Sequence, residues 1–268
     1  MENTMGHNLL EQLPNWLIFI IFPVIAWLCL ALVTFLLKRI FSRAYGPEDS
    51  DSDVIDTAIQ NAMSAVYVVL GFVLVLVMTT ANEIDSHIAK EASQIDNLDR
   101  LFILEGSTAS LQARQTLKSY TQSIVNDEWK KLSEGTGSKE TQLKIDQLFY
   151  DLNAIQANTG RQLALYSEII KKGDDIAQSR NMRILSSQSK LPPLFWGLSF
   201  FTLFGVVIVA AMRLMHPTRT RVIVLGIQIA LVSLTFTTVM ILDLPYLGQT
   251  RSSPEPFQKT LQVMSNRN

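Results

Sequence analysis

Charge is missing from four long stretches of this 268-residue chain: no Asp, Glu, Lys or Arg occurs in residues 13–37, 57–82, 191–212 or 222–242. A helix rises about 1.5 Å per residue, so roughly 20 apolar residues cross a hydrocarbon core of about 30 Å, and each stretch suffices. Histidine is missing from them too. Proton-coupled pumps place ionisable groups at membrane depth, so a proton-driven transporter is disfavoured. With one cysteine, Cys29, no intrachain disulfide can form. Three histidines far apart in sequence (His7, His87, His216), no Cys pair and no phosphate-cradling glycine motif supply no ligand set and no nucleophile with its base. An enzyme is therefore not expected, nor a metal, a cofactor or a catalytic residue. A formal net charge of -1 lacks the basic excess that phosphate neutralisation needs, which excludes nucleic acid as a partner class. Residues 1–14 contain no Lys or Arg, unlike a secretory leader, so the first helix is expected to stay attached.

What is present is apolar content in blocks. The chain is 48% hydrophobic and 18% charged, and the charges lie outside the four runs. The pattern predicts an all-α membrane protein: four transmembrane helices in two hairpins, with a helical bundle inserted between helices two and three. The expected parts are an N-terminal tail (1–12), helix one (13–37), a short basic and acidic loop (38–56) and helix two (57–82). An extramembrane domain (83–190), helix three (191–212), a basic loop (213–221), helix four (222–242) and a C-terminal tail (243–268) complete the chain. Lys38, Arg39 and Arg43 follow the first run, and Arg213, Arg219 and Arg221 follow the third. The positive-inside rule puts both hairpin loops in the cytoplasm and the insert outside it, extracytoplasmic at a bacterial inner membrane.

The insert reads as helical throughout. Ile84, Ile88, Ile95, Leu98 and Phe102 extend the second run as one long helix to about Glu105, where Gly106-Ser107-Thr108 interrupts. Leu117, Tyr120, Ile124 and Leu132 mark a second apolar face, ended by Gly135-Thr136-Gly137-Ser138. Ile145, Leu148, Phe149, Leu152 and Ile155 mark a third, closed by Asn158-Thr159-Gly160. A fourth helix starts near Arg161 and runs, with an expected break at Gly173, toward Pro192-Pro193.

Four ordered blocks carry a resemblance. They are Leu70-Gly71-Phe72 through Asn82-Glu83 to Glu91-Ala92; Asn126-Asp127-Glu128-Trp129-Lys130-Lys131-Leu132; Arg180-Asn181-Met182-Arg183 with Leu191-Pro192-Pro193-Leu194-Phe195-Trp196; and Leu242-Asp243-Leu244-Pro245-Tyr246-Leu247-Gly248 with Ser253-Pro254-Glu255-Pro256-Phe257. Over about residues 62–261 the chain resembles the bestrophin-like domain family of bacterial membrane proteins, a domain of unknown function. That kinship implies pentameric anion channels with the second helix lining the pore. The chain departs from true bestrophins in the side assigned to its insert and in having no counterpart to their acidic calcium clasp.

Within helix two, Gln60, Ser64, Tyr67, Gly71, Met78 and Asn82 fall near one stripe, polar at both ends and apolar between. Close helix packing is its first reading. Pore lining by Ser64, Tyr67, Gly71, Met78 and Asn82 around a dewetting constriction is its second. Gln228, Thr235 and Thr238 share a face of helix four and are expected to make interhelical hydrogen bonds, and Pro23 is expected to kink helix one. The acidic run Asp49 to Asp53 reads as a solvated linker, and Asp127-Glu128 and Asp174-Asp175 as solvated helix faces. Asp243 directly follows helix four, ahead of the helix stops Pro245 and Gly248. This interfacial charge either docks the tail, with Arg180, Arg183 or Arg251 as candidate partners, or forms a charged ring at a pore mouth. These features point to an oligomeric channel-like protein in the lipid bilayer, a homo-oligomer with small anions as the candidate permeant. The alternative is a non-conducting scaffold or sensor whose bundle binds a partner or signal.

Overall fold

The computed structural model describes residues 14–41, 49–215, 217–243, 246 and 252–267. The N-terminal tail with His7, the middle of the first loop, His216 and Arg251 lie outside the described residues. The chain divides into two compact units, one of Met1–Thr79 and Lys190–Thr250, the other of Thr80–Ser189 and Arg251–Asn268. In order the helices are α1 (Asn15–Phe41), α2 (Asp49–Glu105), α3 (Thr108–Ser123), α4 (Trp129–Leu132), α5 (Lys139–Asn153), α6 (Gly160–Gln188), α7 (Pro193–Arg213), α8 (Arg219–Leu242) and α9 (Glu255–Asn266). A π-helical turn, Ile124–Glu128, joins α3 to α4, and no strand occurs among the described residues. The fold is all-α, with four helical stretches long and apolar enough to cross a membrane.

Helix α2 is 57 residues long. Ile59, Met63, Val66, Leu70, Val73 and Val77 are buried along it, and the same alternation of three and four resumes with Ile84, Ile88, Glu91, Ile95, Leu98 and Phe102. Such a heptad stripe keeps one face of a long helix against its neighbours. The helix begins at Asp49, so the acidic run read as a linker is helical backbone instead. It stops where Gly106, at φ +73°, takes a conformation that side chains disfavour.

In the first unit, Leu30 of α1, Met63 and Leu70 of α2, Val206 of α7, and Ile229 and Phe236 of α8 share one core. Gly226 lets α8 approach α1 so closely that a Cβ there would collide with the Trp27 ring. This is the small-residue contact by which membrane helices associate without a hydrophobic driving force between them.

Caps and turns delimit the second unit's helices. Ser107 caps α3 by accepting from the Ser110 N–H, and Thr159 and Gln162 form a reciprocal capping box at α6. Leu98, Phe102, Leu117, Leu148 and Ile176 are all fully buried, each burial stabilising by roughly 1.5–3 kcal/mol before its entropy cost. Helix α6 runs unbroken through Gly173, correcting the expected interruption. The glycine serves packing: an added Cβ would come within 2.8 Å of Leu152 Cδ1 and 3.6 Å of Phe149 Cε1. Residues 243–268, read as a tail, contain α9, which buries Phe257, Thr260 and Met264.

Candidate functional site

The α2 stripe stands one residue out of phase with the buried heptad face, about 100° around the helix. Gln60, Ser64, Tyr67, Met78 and Asn82 are accordingly exposed, and Gly71 is half-buried. Tyr67 and Met78 keep 41% and 48% of their surface open, so the stripe takes little part in packing within the chain. The Ser64 hydroxyl donates to the Gln60 carbonyl, a local bond common for serine in apolar helices. The α8 hydroxyls behave alike: Thr235 and Thr238 donate to the carbonyls of Leu231 and Leu234 in their own helix, replacing the expected interhelical bonds.

One end of this stripe opens on a cleft of about 520 Å³ between α2, α7 and α8. Sequence reading took its residues separately, as loop arginines and span amides, and the fold gathers them. Arg213, the last residue of α7, grips Asp56 of α2, donating from Nη2 at 2.6 Å with Nε at 2.5 Å. Arg221 and Gln228 come from the first and third turns of α8, and Gln60, Ser64 and Tyr67 from the stripe. The floor is apolar, made by Ile59, Met63, Val224 and Leu225. Thr218 caps α8 by accepting from the Arg221 N–H, and the first turn carries no acidic residue.

Asp243 closes the opposite end of the same unit. Its Oδ1 accepts the Leu191 N–H at 2.6 Å and its Oδ2 the Trp196 indole N–H at 3.3 Å, so it ties the end of α8 to the start of α7. Burial pushes its pKa up, against the two hydrogen bonds that favour the charged form. Of the arginines offered to it from sequence, Arg180 and Arg183 are engaged with Glu128 and Glu91, and Arg251 lies outside the described residues.

Arg180 and Arg183 sit one turn apart on the buried face of α6 and meet two carboxylates. Arg183 is fully buried, donating from Nε to Glu91 at 2.7 Å and pairing through Nη2 with Glu128 at 2.9 Å. Arg180 reaches Glu128 from Nη2 at 2.6 Å and Gln142 Oε1 from Nη1. The Tyr120 hydroxyl donates to Glu91 at 2.9 Å, and the Ser138 N–H to Glu128 at 3.1 Å. Burial alone would lower the Arg183 pKa; the Glu91 carboxylate outweighs it and holds the group well above its ordinary value. Burial, helped by Glu91, likewise pushes the Tyr120 pKa up. Glu128 is thus a core residue, correcting its reading as a solvated face. Glu128 lies four residues beyond Ile124 on the same buried helical face, at the end of the π turn, and the next residue, Trp129, packs edge-on against Phe257 of α9, ring centroids 6.0 Å apart. Phe257 also lies under the Arg183 guanidinium, 5.4 Å from it. A sequence signal for this cluster existed: Glu91 occupies a core position of the α2 heptad, where a charge needs a buried partner.

The resemblance blocks therefore converge. Glu91, Glu128, Arg180, Arg183 and Phe257 form one buried network in the second unit, while Leu191, Trp196 and Asp243 form one clasp in the first. Among the described residues no group of His, Cys, Asp and Glu is arranged to hold a metal ion. No curated protein and no solved structure is significantly similar to the chain. A family described as bestrophin-like domain matches residues 22–257. That match takes in all four blocks and most of the chain, and the protein belongs to the bestrophin-like domain family.

Proposed function

We propose that the chain is one subunit of a homo-oligomeric membrane channel that passes small anions, with the outer stripe of α2 lining the pore. One observation carries this reading: α2 turns its apolar heptad face into the chain's own core and leaves Gln60, Ser64, Tyr67 and Asn82 outside it. Polar side chains held against hydrocarbon cost free energy, whereas a ring of copies would turn them toward water. Met78 and its apolar neighbours would then form a constriction gated by dewetting. The uncharged spans suit passive permeation, and the arginines at the Arg213 and Arg221 end favour anions. By the positive-inside rule that end faces the cytoplasm of a bacterial inner membrane, with the insert on the other side.

The test is thiol accessibility in a Cys29→Ser background. Cysteines at 67, 71 and 78 should react with a charged, water-soluble thiol reagent and lose anion flux on reaction. Cysteines at Val68, Phe72 and Val75, exposed on the adjoining apolar face, should remain unlabelled. Equal protection of both sets would defeat the pore assignment. A scaffold reading has one specific support: Leu143 and Tyr150, two turns apart on α5, expose 68% and 73% of their surface, as a docking face would. A chain that is monomeric in the membrane and silent in flux would favour it.

A further inference from the structure

We infer that the ion pair of Arg213 with Asp56 sets the charge selectivity of the pore, Arg213 neutralising a carboxylate that would otherwise repel anions at the pore mouth. The inference rests on the pore reading given above and names the pair behind its anion preference. Its first support is position. Asp56 lies four residues before Gln60 on α2, about 40° around the helix and about 6 Å along its axis. The outer stripe therefore carries a carboxylate one turn beyond Gln60, and Asp56 lines one cleft wall together with Gln60, Ser64 and Tyr67. A ring of copies would repeat that carboxylate around the axis, and rings of acidic side chains select cations. Left unanswered, this end of the stripe would oppose anion entry.

The second support is how the carboxylate is answered. Arg213 donates from Nη2 to Asp56 Oδ2 at 2.6 Å, and its Nε lies 2.5 Å from Oδ1, so both carboxylate oxygens meet the guanidinium. Burial divides the pair unevenly: the Asp56 side chain keeps 52% of its surface open, that of Arg213 only 10%. The carboxylate is thus the member presented outward, and the cation stands behind it at the end of α7. With its carboxylate open to water, such a pair adds little to stability. Its effect on passing ions is larger, because losing one partner changes the local charge by a full unit in every subunit. In water, a unit charge at about 6 Å alters the local concentration of a monovalent ion about threefold, and in a ring these factors multiply. Arg221 lines the same cleft, but its charge is common to the native chain and to every variant of the pair, so it drops out of the comparison.

The experiment reconstitutes the full chain in planar bilayers and reads the chloride-to-potassium permeability ratio from the reversal potential in a potassium chloride gradient. The native chain should favour chloride. Arg213→Gln should lower the ratio about threefold or more, toward potassium, and Asp56→Asn should raise it. The double variant Arg213→Gln, Asp56→Asn, in which neither charge remains, should return to the native ratio. Damage to the fold would not move the two single variants in opposite directions, nor would a second substitution undo it. Should Arg213→Gln fail to assemble, Asp56→Asn decides by itself, and an unchanged ratio there overturns the inference. Chloride preference unaltered in both single variants, or a shift of both in the same direction, would overturn the role of the pair and leave the pore standing. Bilayers silent for the native chain would overturn the pore, and this inference with it.

Discussion

Arg183→Met removes the charge at the centre of the buried network while keeping much of the side chain's length. In the native chain Arg183 donates to Glu91 at 2.7 Å and 3.1 Å and pairs with Glu128 at 2.9 Å, and neither carboxylate has solvent-exposed surface. After the substitution Glu128 still has Arg180 at 2.6 Å and the Ser138 N–H at 3.1 Å. Among the described residues Glu91 is left with the Tyr120 hydroxyl, at 2.9 Å. One buried carboxylate is therefore uncompensated, and breaking such a pair costs about 3–5 kcal/mol. For a cooperative unit of this size, at roughly 3–5 °C per kcal/mol, the unfolding temperature should fall by about 10–20 °C. The loss of the contact with Phe257 should also loosen α9. Circular dichroism melting of the detergent-solubilised full chain measures the first effect, and hydrogen exchange over 255–266 the second. Adding Glu91→Leu to Arg183→Met removes the orphaned charge and should recover at least about 2 kcal/mol, because an apolar replacement of a buried pair is often neutral or better. A single variant within about 1 kcal/mol of the native chain, or a double variant no better than the single one, would refute the reasoning.

Gly226→Ala should destabilise the helix assembly by about 1–3 kcal/mol, since the new methyl group meets the Trp27 ring; Trp27→Ala in the same chain should relieve part of that loss in a melting series. Asp243→Ala leaves the Leu191 N–H and the Trp196 indole without their acceptor, at a cost of about 1–3 kcal/mol, and melting temperature is the readout. Acid should release α9. Burial would raise the Asp96 pKa, but hydrogen bonds from Arg267 and Arg100 hold it below the ordinary 3.8. A carboxylate depressed in the folded state contributes stability above its unfolded pKa and loses it as pH falls through the folded value. Hydrogen exchange over 255–266 should therefore speed up below about pH 4, and Arg267→Ala should flatten that dependence.

The helices were legible in the sequence because two signals report them directly. Uncharged runs of membrane length mark α1, α7, α8 and half of α2, and the glycine turns at Gly106 and Gly135, both at positive φ, mark the ends of α2 and α4's loop. Three features were not legible, each for a physical reason. Glu128 sits at helical spacing from Ile124 but looked solvated, because the Arg180 and Arg183 that pair with it in the core lie more than 50 residues away in sequence. Gly173 marks a close approach by Leu152 and Phe149, which depends on a neighbour far away in sequence and cannot be told from a break. Helix α9 was hidden by the turn residues before it, although Phe257, Thr260 and Met264 recur at helical spacing. Of the candidate site, the α2 stripe was visible from spacing, whereas the cleft was not, since Asp56, Arg213 and Arg221 come together only when α2, α7 and α8 pack.

The most direct test of the channel assignment is the current carried by purified protein in planar bilayers with unequal chloride on the two sides. The assignment predicts discrete conductance, a reversal potential displaced toward that of chloride, and larger currents for Met78→Thr, which would wet the constriction. Bilayers that remain silent across several anions and voltages with verified incorporation, or currents unaffected by Met78→Thr, would contradict it.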